Sequence, residues 1–412
     1  MAQLNITLNQ EEILQLLSEN RDQAFRDLLT SCLNNVLKAE SSAQLGAEPY
    51  ERTEKRSDSR NGTRERPLKT RIGKITLTVP RHRDKPFKTL IFDNYSRSEA
   101  ALIASMAEMV VMGVSTKKVS DVMETLCGTS YSKSTVSEAC KMLDKDVKAF
   151  KERTLTKEYP FLMVDATYFK VRENHRVTSK ALMVALATDL EGHRDIIGFE
   201  VYDSETKESW KTFLESLKAR GLHGLRVITS DAHEGIIYGI SKTYPEVPWQ
   251  RCQTHFSRNI MDKAPKQYQT AIHDALSAMY NATTLEAARK KRDEIISEYA
   301  DIAEKAMKCL DEGFESVMTV MILPEGMRKF FRTSNHLERL NKELKRRSDV
   351  IGIFPNVDSL DRLMGSVLIH QNEVYSNRSR VNCKKTDLKE LYKLAPELKL
   401  IAEEQHKMLQ AA

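Results

Sequence analysis

The chain has 412 residues, 41% hydrophobic and 30% charged, with 64 Lys+Arg against 58 Asp+Glu and a formal net charge of +6. That length predicts two to four domains, and the balance excludes a wholly disordered or collagen-like chain. No run approaches the roughly 18 consecutive apolar residues of a membrane span. The N-terminus lacks the basic and apolar regions of a signal peptide, and six scattered cysteines make no disulfide framework, so a reducing cytoplasm is the expected compartment.

The small net charge conceals two basic concentrations. Residues 51–90 hold 13 Lys+Arg against 5 Asp+Glu, and residues 328–347 hold 8 Lys+Arg against 2 Glu. Two such clusters far apart in the chain suit a long polyanion, although solvated charged faces would give the same composition.

In chain order, residues 7–40 keep helical spacing of Leu16, Leu17, Leu28, Leu29 and Leu33. Residues 41–67 turn polar and read as a linker or arm that orders on a partner. In 68–83, Ile75, Leu77 and Val79 alternate with polar residues behind Gly73, which predicts a short strand or hairpin ended by Pro80. Residues 97–150 predict helices from about Ser98 to Met112, from Ser115 to about Leu126, and from about Ser134 after a 128–132 turn. The last two resemble a helix-turn-helix, with Lys133 at the entrance of the reading helix.

From 160 the pattern becomes α/β. Strands are expected at 160–171, 179–189, 195–203, 225–231 and 248–255, with helices at 209–221 and 236–245. Three strands with short connections, followed by helical crossovers, make the first three antiparallel and the later ones parallel to the first. That is the order of a ribonuclease-H-like sheet. Residues 262–325 lack strand alternation and predict a helical insertion, with Lys263, Lys266, Lys290, Lys291 and Arg292 as a candidate basic wall.

Asp165 falls inside the first apolar strand and Asp231 at the end of the fourth. A carboxylate in a buried strand is costly unless paired or metal-bound. In this topology the two strands are neighbours, so both carboxylates reach one hard cation such as Mg²⁺. A third ligand is expected from the helix at 332–349, which Thr333 or Ser334 can cap and whose buried stripe is Leu337, Leu340 and Leu344. At roughly 100° per residue, Glu338 and Glu343 lie on opposite flanks of that stripe, so periodicity leaves both open.

The segments RNGTRERPLKTRIGKITLTVPRHR, VDATYFKVR, TSDAHEG, WQRCQTHFSRN and TSNHLERLNKELKRR resemble, in order, the motifs of Mutator-type bacterial insertion-sequence transposases. The resemblance runs from about 60 to 380. It implies a DDE transposase with a ribonuclease-H-like core and a catalytic, metal-binding triad of Asp165, Asp231 and Glu338, which selects Glu338 over Glu343. It further implies two Mg²⁺ ions per site (Mn²⁺ as substitute), cleavage and strand transfer at element ends, a circular element intermediate, and a homodimer on double-stranded end and target DNA.

The expected fold is multidomain, α/β plus all-α: a helical segment at 1–50, a basic arm with a β-hairpin at 51–95, a helix-turn-helix-like unit at 96–155, and a catalytic core at 156–261 and 326–412, interrupted by the insertion at 262–325. Candidate DNA contacts are Arg64, Arg66, Lys69, Arg71, Arg81, Arg83, Lys133, Arg251, Arg258, Arg339, Lys342, Lys345 and Arg346. The Cys252-x₂-His255 pair is two ligands short of a zinc site and reads as active-site support, with His233 and Asn335 beside it. Trp210 and Trp249 read as core. An inactive, transposase-derived DNA-binding regulator is the alternative, and a free-standing ribonuclease-H-like nuclease the third.

Overall fold

The computed structural model of the chain describes residues 21–51, 53, 56–70, 72–89, 100–127, 130–376 and 385–411. It divides into two compact units, Met1–Met142 and Leu143–Ala412.

In the first unit, helix α1 (Arg21–Leu45) packs on an antiparallel hairpin of β1 (Arg60–Thr70) and β2 (Gly73–His82). Its core is Leu37, Leu68, Ile75, Leu77 and Val79, with Leu29, Leu33 and Phe87 at the edge. The alternation expected for β2 holds, since Ile75, Leu77 and Val79 point inward. The hairpin is longer than expected, however. Residues 60–67, read as linker, form most of β1 and pair with β2. Their side chains are mostly exposed, so the ladder needs almost no apolar residues there and the sequence carried no hydrophobic signal. Residues 7–20 of the expected N-terminal helix, Arg71, and the expected helix start at Ser98 lie outside the described residues.

Three helices follow: α2 (Ala100–Val111), α3 (Thr116–Cys127) and α4 (Lys133–Ala139). Leu102, Met106, Val119, Met123, Tyr131 and Val136 form their shared core. Ser132 caps α4 by accepting a hydrogen bond from Thr135 N at 3.1 Å. The expected third helix does not run on to 150. It passes into a 3₁₀ turn at Cys140–Leu143, and a new helix, α5 (Asp144–Glu152), starts with Asp144 and Asp146 at its positive end.

The second unit is built on a five-stranded mixed sheet of β3 (Phe161–Glu173), β4 (Arg176–Thr188), β5 (Arg194–Tyr202), β6 (Val227–Ser230) and β7 (Trp249–Arg251), in the order β5-β4-β3-β6-β7. β3, β4 and β5 are antiparallel neighbours, while β6 pairs parallel with β3 and β7 parallel with β6. This is the strand order the connection lengths imply. Helices α6 (Lys207–Ala219) and α7 (Glu234–Thr243) cover one face. There Leu162, Val164, Met183, Ala185 and Ile228 meet Trp210, Phe213, Leu217 and Ile236. Gly221 ends α6 as expected, at φ +103°, where an added Cβ would lie 2.8 Å from Leu155 O.

After β7 come α8 (Gln253–Met261), α9 (Gln269–Tyr280), α10 (Leu285–Tyr299) and α11 (Glu304–Met318), then α12 (Glu325–Phe331), α13 (Asn335–Ser348), α14 (Val357–Ser376), α15 (Lys385–Lys393) and α16 (Ala395–Ala411). Helices α8–α11 bury a core of their own that includes Phe256, Ile260, Ile272, Leu276, Ile295, Leu310 and Phe314. The 262–325 interval is therefore helical, as its composition implied. Arg292 does not join an open basic wall. It lies over Phe314 and pairs with Asp293 and Asp311.

Helices α5, α13 and α14 pack on the sheet face opposite α6 and α7. Ion pairs fix them: Lys151 to Glu200 at 2.6 Å and to Asp361 at 3.2 Å, and Arg362 to Asp144 at 2.5 Å. The chain regains the sheet at the end of α12. Phe331 stacks on Phe161 with ring centroids 3.5 Å apart, and its carbonyl accepts from Thr229 Oγ1 at 2.8 Å. Among the described residues no helix is long and apolar enough to cross a membrane.

Phe331 is 1% exposed. Phe331→Ala should therefore destabilise the chain by about 3–5 kcal/mol, the usual cost of emptying a buried aromatic site. Urea denaturation of the full chain measures this, and a loss under about 1 kcal/mol would show that α12 is not pinned there.

Candidate active site

Parallel pairing of β3 with β6 ends at Met163 and Thr229. Asp165 on β3 and Asp231, one residue past the end of β6, each lie two residues beyond that pair, so the register carries both to the same end of neighbouring strands, whose spacing is about 4.8 Å. Odd-numbered β3 residues face away from α6 and α7, as Phe161 does in stacking on Phe331 at the end of α12, and Asp165 shares that face. Asn341 of α13 donates from Nδ2 to Asp165 Oδ2 at 2.8 Å, and Ala166 N donates to Oδ1 at 3.0 Å. The Asp231 carboxylate turns back to accept from His233 N at 3.1 Å.

Asp165 keeps an edge open to solvent but is packed deeply enough that lost hydration, reinforced by Asp231, pushes its carboxyl up to about 7. His255 and the Ala166 amide oppose that shift.

Glu338 lies on α13 one turn before Asn341 and therefore on the same side of the helix. Its Oε1 is 3.5 Å from His255 Nε2 and 3.4 Å from Arg258, both on α8. That oxygen is buried and accepts no hydrogen bond. Glu343 is different, because Arg346 holds both its oxygens, at 2.7 and 2.9 Å, and Arg347 adds a third bond at 3.0 Å. These guanidinium contacts hold Glu343 below the usual carboxylate range. The two glutamates left open by the helical wheel are thus separated by partner chemistry.

His255 ties the three carboxylates together. The Cys252 sulfur first, then the charges of Asp165 and Asp231, raise its imidazole to about 9 against the cost of burial. Cys252 is fully buried at the N-terminus of α8 and accepts from Ser334 N at 3.3 Å and Ser334 Oγ at 3.2 Å. Ser334 stands at the N-cap of α13 as expected, but its hydroxyl is engaged by that sulfur and makes no side-chain cap bond. Gln253 N donates to Arg332 O at 3.0 Å, and Thr254 Oγ1 donates to Asn335 Oδ1 at 3.2 Å. Cys252 and Asn335 therefore clamp the start of the Glu338 helix to α8.

The carboxylates are gathered but not closed into a cage. Among the described residues no three His, Cys, Asp or Glu side chains lie close enough together to hold a metal ion. Asn341 occupies one oxygen of Asp165, and His255 and Arg258 face Glu338. The donor set nevertheless suits a hard divalent cation: carboxylate oxygens, one of them buried without a hydrogen bond.

Other expected residues fall in several places. His233 caps α7, its Nδ1 accepting from Gly235 N at 3.2 Å. Arg251 is half-buried over the Phe256 ring, 4.5 Å from its centroid. Arg258, Arg339, Lys342, Lys345 and Arg346 are exposed. In the first unit, Arg64, Arg81, Arg83 and Lys133 are exposed, Arg66 is partly buried, and Lys69 is folded over Tyr131 while donating to Ser130 O at 2.9 Å. Trp210 and Trp249 are core.

Two residues escaped the sequence reading. Asn341 was within the motif three residues after Glu338, and helical spacing was the available signal. Glu205, in the loop after β5, is 12% exposed and sits 4.0 Å from His233 Nδ1. Trp210 Nε1 donates to it at 3.3 Å. Burial, then the Asp231 charge against His233, leaves its carboxyl above the usual range. Nothing in its local sequence marks it.

The raised Asp165 carboxyl has a measurable consequence. Its folded pKa of about 7 exceeds the ordinary value of roughly 3.9, so the folded chain binds this proton more tightly than the unfolded one. Its stabilising contribution is complete below about pH 4 and is lost as pH rises toward 7, leaving a cost of about 2–4 kcal/mol at about pH 8. In chelator, Asp165→Asn should raise Tm by several degrees at about pH 8 and by less at about pH 5. An equal or lower Tm at the higher pH would contradict this.

Comparison with known proteins adds the lineage. The family model for "Transposase, Mutator family" matches residues 1–378. The transposase for insertion sequence element IS256 in transposon Tn4001 of Staphylococcus aureus is 40% identical over 388 residues, covering 93% of this chain and 99% of the relative. The transposase for ISRM5 of Rhizobium meliloti is 38% identical over 385 residues, 93% of this chain and 96% of the relative. That for IS1081 of Mycobacterium tuberculosis is 36% identical over 365 residues, 87% and 88%. A match across almost the whole length, with the acidic pair, the Cys-x₂-His pair and the Glu338 helix at one sheet end, places the chain in the Mutator family of transposases.

Proposed function

We propose that this transposase binds the ends of an insertion sequence and cuts and joins DNA with Asp165, Asp231 and Glu338 as its acidic triad. One observation carries the reading: two aspartates in register on adjacent parallel strands, one of them destabilised as an anion, with Glu338 held across from them by the Cys252–Ser334 clamp. The sheet order supports a ribonuclease-H-like core.

Asp165, Asp231 and Glu338 would hold Mg²⁺, with Mn²⁺ as a substitute and two ions per site. When bound, such ions activate the attacking oxygen of water or a 3′-hydroxyl and offset charge at the phosphate and leaving oxygen. The chain's own residues prepare that site. Asn341 fixes the rotation of Asp165, and the Ala166 amide holds its second oxygen. His255, cationic at neutral pH, keeps three like charges tolerable before DNA and metal arrive. Arg258 shares Glu338 with it. No side-chain nucleophile is required, because the 3′-hydroxyl released by the first cleavage is the nucleophile of the joining step.

Exposed Lys342, Lys345 and Arg339 on α13 suit the backbone of the DNA being cut. The basic hairpin and the α2–α4 unit, with Lys133 at the start of α4, suit recognition of the ends. A homodimer bringing two ends together and a circular element intermediate complete the reading, in a bacterial cytoplasm.

Asp165→Ala, Asp231→Ala and Glu338→Ala should each lower cleavage and joining by at least about 10³-fold, while binding to end DNA persists. Glu343→Ala should stay active. A metal-dependent nicking assay on end DNA separates these outcomes, and an active Glu338→Ala beside an inactive Glu343→Ala would sink the assignment. It would also expose the inactive-regulator alternative, for which the wild type shows no nicking at all.

Replacing Arg64, Arg81 and Arg83 together by alanine should weaken end binding and reduce the slope of log affinity against log salt by about 3, at roughly 0.9 per phosphate contact. An unchanged slope would remove the hairpin from the interface.

A further inference from the structure

Arg194 opens β5 on the sheet face covered by α13 and α14, and its surroundings are unusual for a guanidinium. It is half-buried, yet its Nη2 bonds to His336 Nε2 at 3.0 Å. The other charged or titratable groups facing it are Arg339 of α13 and Tyr375 of α14. Tyr375 faces both arginines. Among the described residues Arg194 has no carboxylate partner. Elsewhere in this unit Arg153 pairs with Asp195 at 2.5 Å, Arg347 with Glu343 at 3.0 Å, and Arg362 with Asp144 at 2.5 Å. Half-buried Arg220, Arg251 and Arg332 are satisfied differently, by carbonyl oxygens or a ring face, whereas Arg194 meets a ring nitrogen and a second guanidinium.

A sheltered cation without an anion costs folding energy, and a second cation beside it adds to the cost. The arrangement is nevertheless well built. The Arg194 end of β5 is pinned by Asn372 Oδ1 of α14, which accepts from Ile196 N at 2.6 Å. His336 and Arg339 are three apart on α13 and share one side of it, roughly 100–160° around from Glu338. Two guanidiniums, a ring nitrogen and a phenol converge where none of the described residues places a carboxylate in contact with Arg194.

We propose that Arg194, His336 and Arg339 form a seat for one DNA backbone phosphate flanking the reacting one, with the Tyr375 hydroxyl beside it. The inference rests on the transposase reading above and assigns Arg194, His336 and Tyr375 a part in it. The guanidinium fork of Arg194 matches two phosphate oxygens, and His336, which accepts from Arg194 in the free chain, turns its proton toward the anion. Because His336 and Arg339 bracket Glu338 on one helix, a phosphate seated there fixes the position of α13 relative to the strand being cut. The seat is sequence-independent, so it registers the backbone and leaves reading of the ends to other surfaces.

The test is fluorescence anisotropy of a labelled DNA duplex against the full chain over a salt series. It compares wild type, Arg194→Gln, Arg194→Lys, and Lys308→Gln as a control that removes an exposed charge of α11 paired with Glu312. Losing one phosphate contact should lower the salt slope of Arg194→Gln by about 0.9 and weaken binding about 10-fold, while Lys308→Gln matches wild type. The Tm of Arg194→Gln should hold or rise, since an unpaired cation is removed. A structural arginine would instead lower it.

An unchanged slope and affinity in Arg194→Gln would overturn the seat while leaving the transposase reading intact. If Arg194→Gln does not fold, Arg194→Lys carries the test. It keeps the charge but not the fork, so it should retain the slope and bind several-fold more weakly, and wild-type affinity would overturn the seat. Inorganic phosphate added to wild type should compete only weakly, as expected for one contact among many along a DNA backbone. Competition at equal strength in wild type and Arg194→Gln would also count against it. A wild type with no affinity for any duplex would sink the DNA reading and the seat with it.

Discussion

The joint at which the chain re-enters the sheet is the constraint on which the second unit depends. After β7 the chain departs into α8–α11, which have their own core, and it must come back in a fixed position for Asn341 to reach Asp165 and Glu338 to face His255. Phe331 stacked on Phe161, Thr229 bonded to the Phe331 carbonyl, and Ser334 doubly bonded to the Cys252 sulfur all fall within four residues of that return. The Cys-x₂-His pair gains its meaning there. Cys252 holds the start of the Glu338 helix, and His255, one turn along α8, faces Glu338 itself. One short helix therefore sets both the position and the electrostatic environment of the glutamate.

Charge at this end of the sheet is deliberately unbalanced. Glu343 and Arg346–Arg347 satisfy one another, as surface-flanking groups on a helix usually do. Asp165 and Asp231 repel each other, Glu205 adds a fourth carboxyl nearby, and His255 is the cation that makes the group tolerable. On the other side of α13, Arg194 and Arg339 have no carboxylate ion pair among the described residues. A folded chain with uncompensated negative charge on one side of a helix and uncompensated positive charge on the other is storing cost that bound ligands of opposite sign would relieve. Cations beside the acidic group and phosphate beside the basic one are the ligands this polarity suits.

The sequence by itself determined the strand order, the helical nature of 262–325, the core tryptophans and the positions of the two aspartates. Each depends on local periodicity, on connection length or on a charged residue inside an apolar run, all of which are readable along the chain. It also carried the family resemblance, which the match over residues 1–378 bears out. It underestimated β1, because an exposed ribbon is held by backbone pairing and needs no apolar signal. Only the tertiary structure paired Glu343 with Arg346 and Arg347, brought Asn341 to Asp165, set Glu205 beside His233 and left Arg194 facing His336. Those pairings join residues from different elements. A helical wheel gives each side chain an angle but not the partner that waits there, and partner chemistry decides whether a carboxylate is a satisfied ion pair or an available ligand.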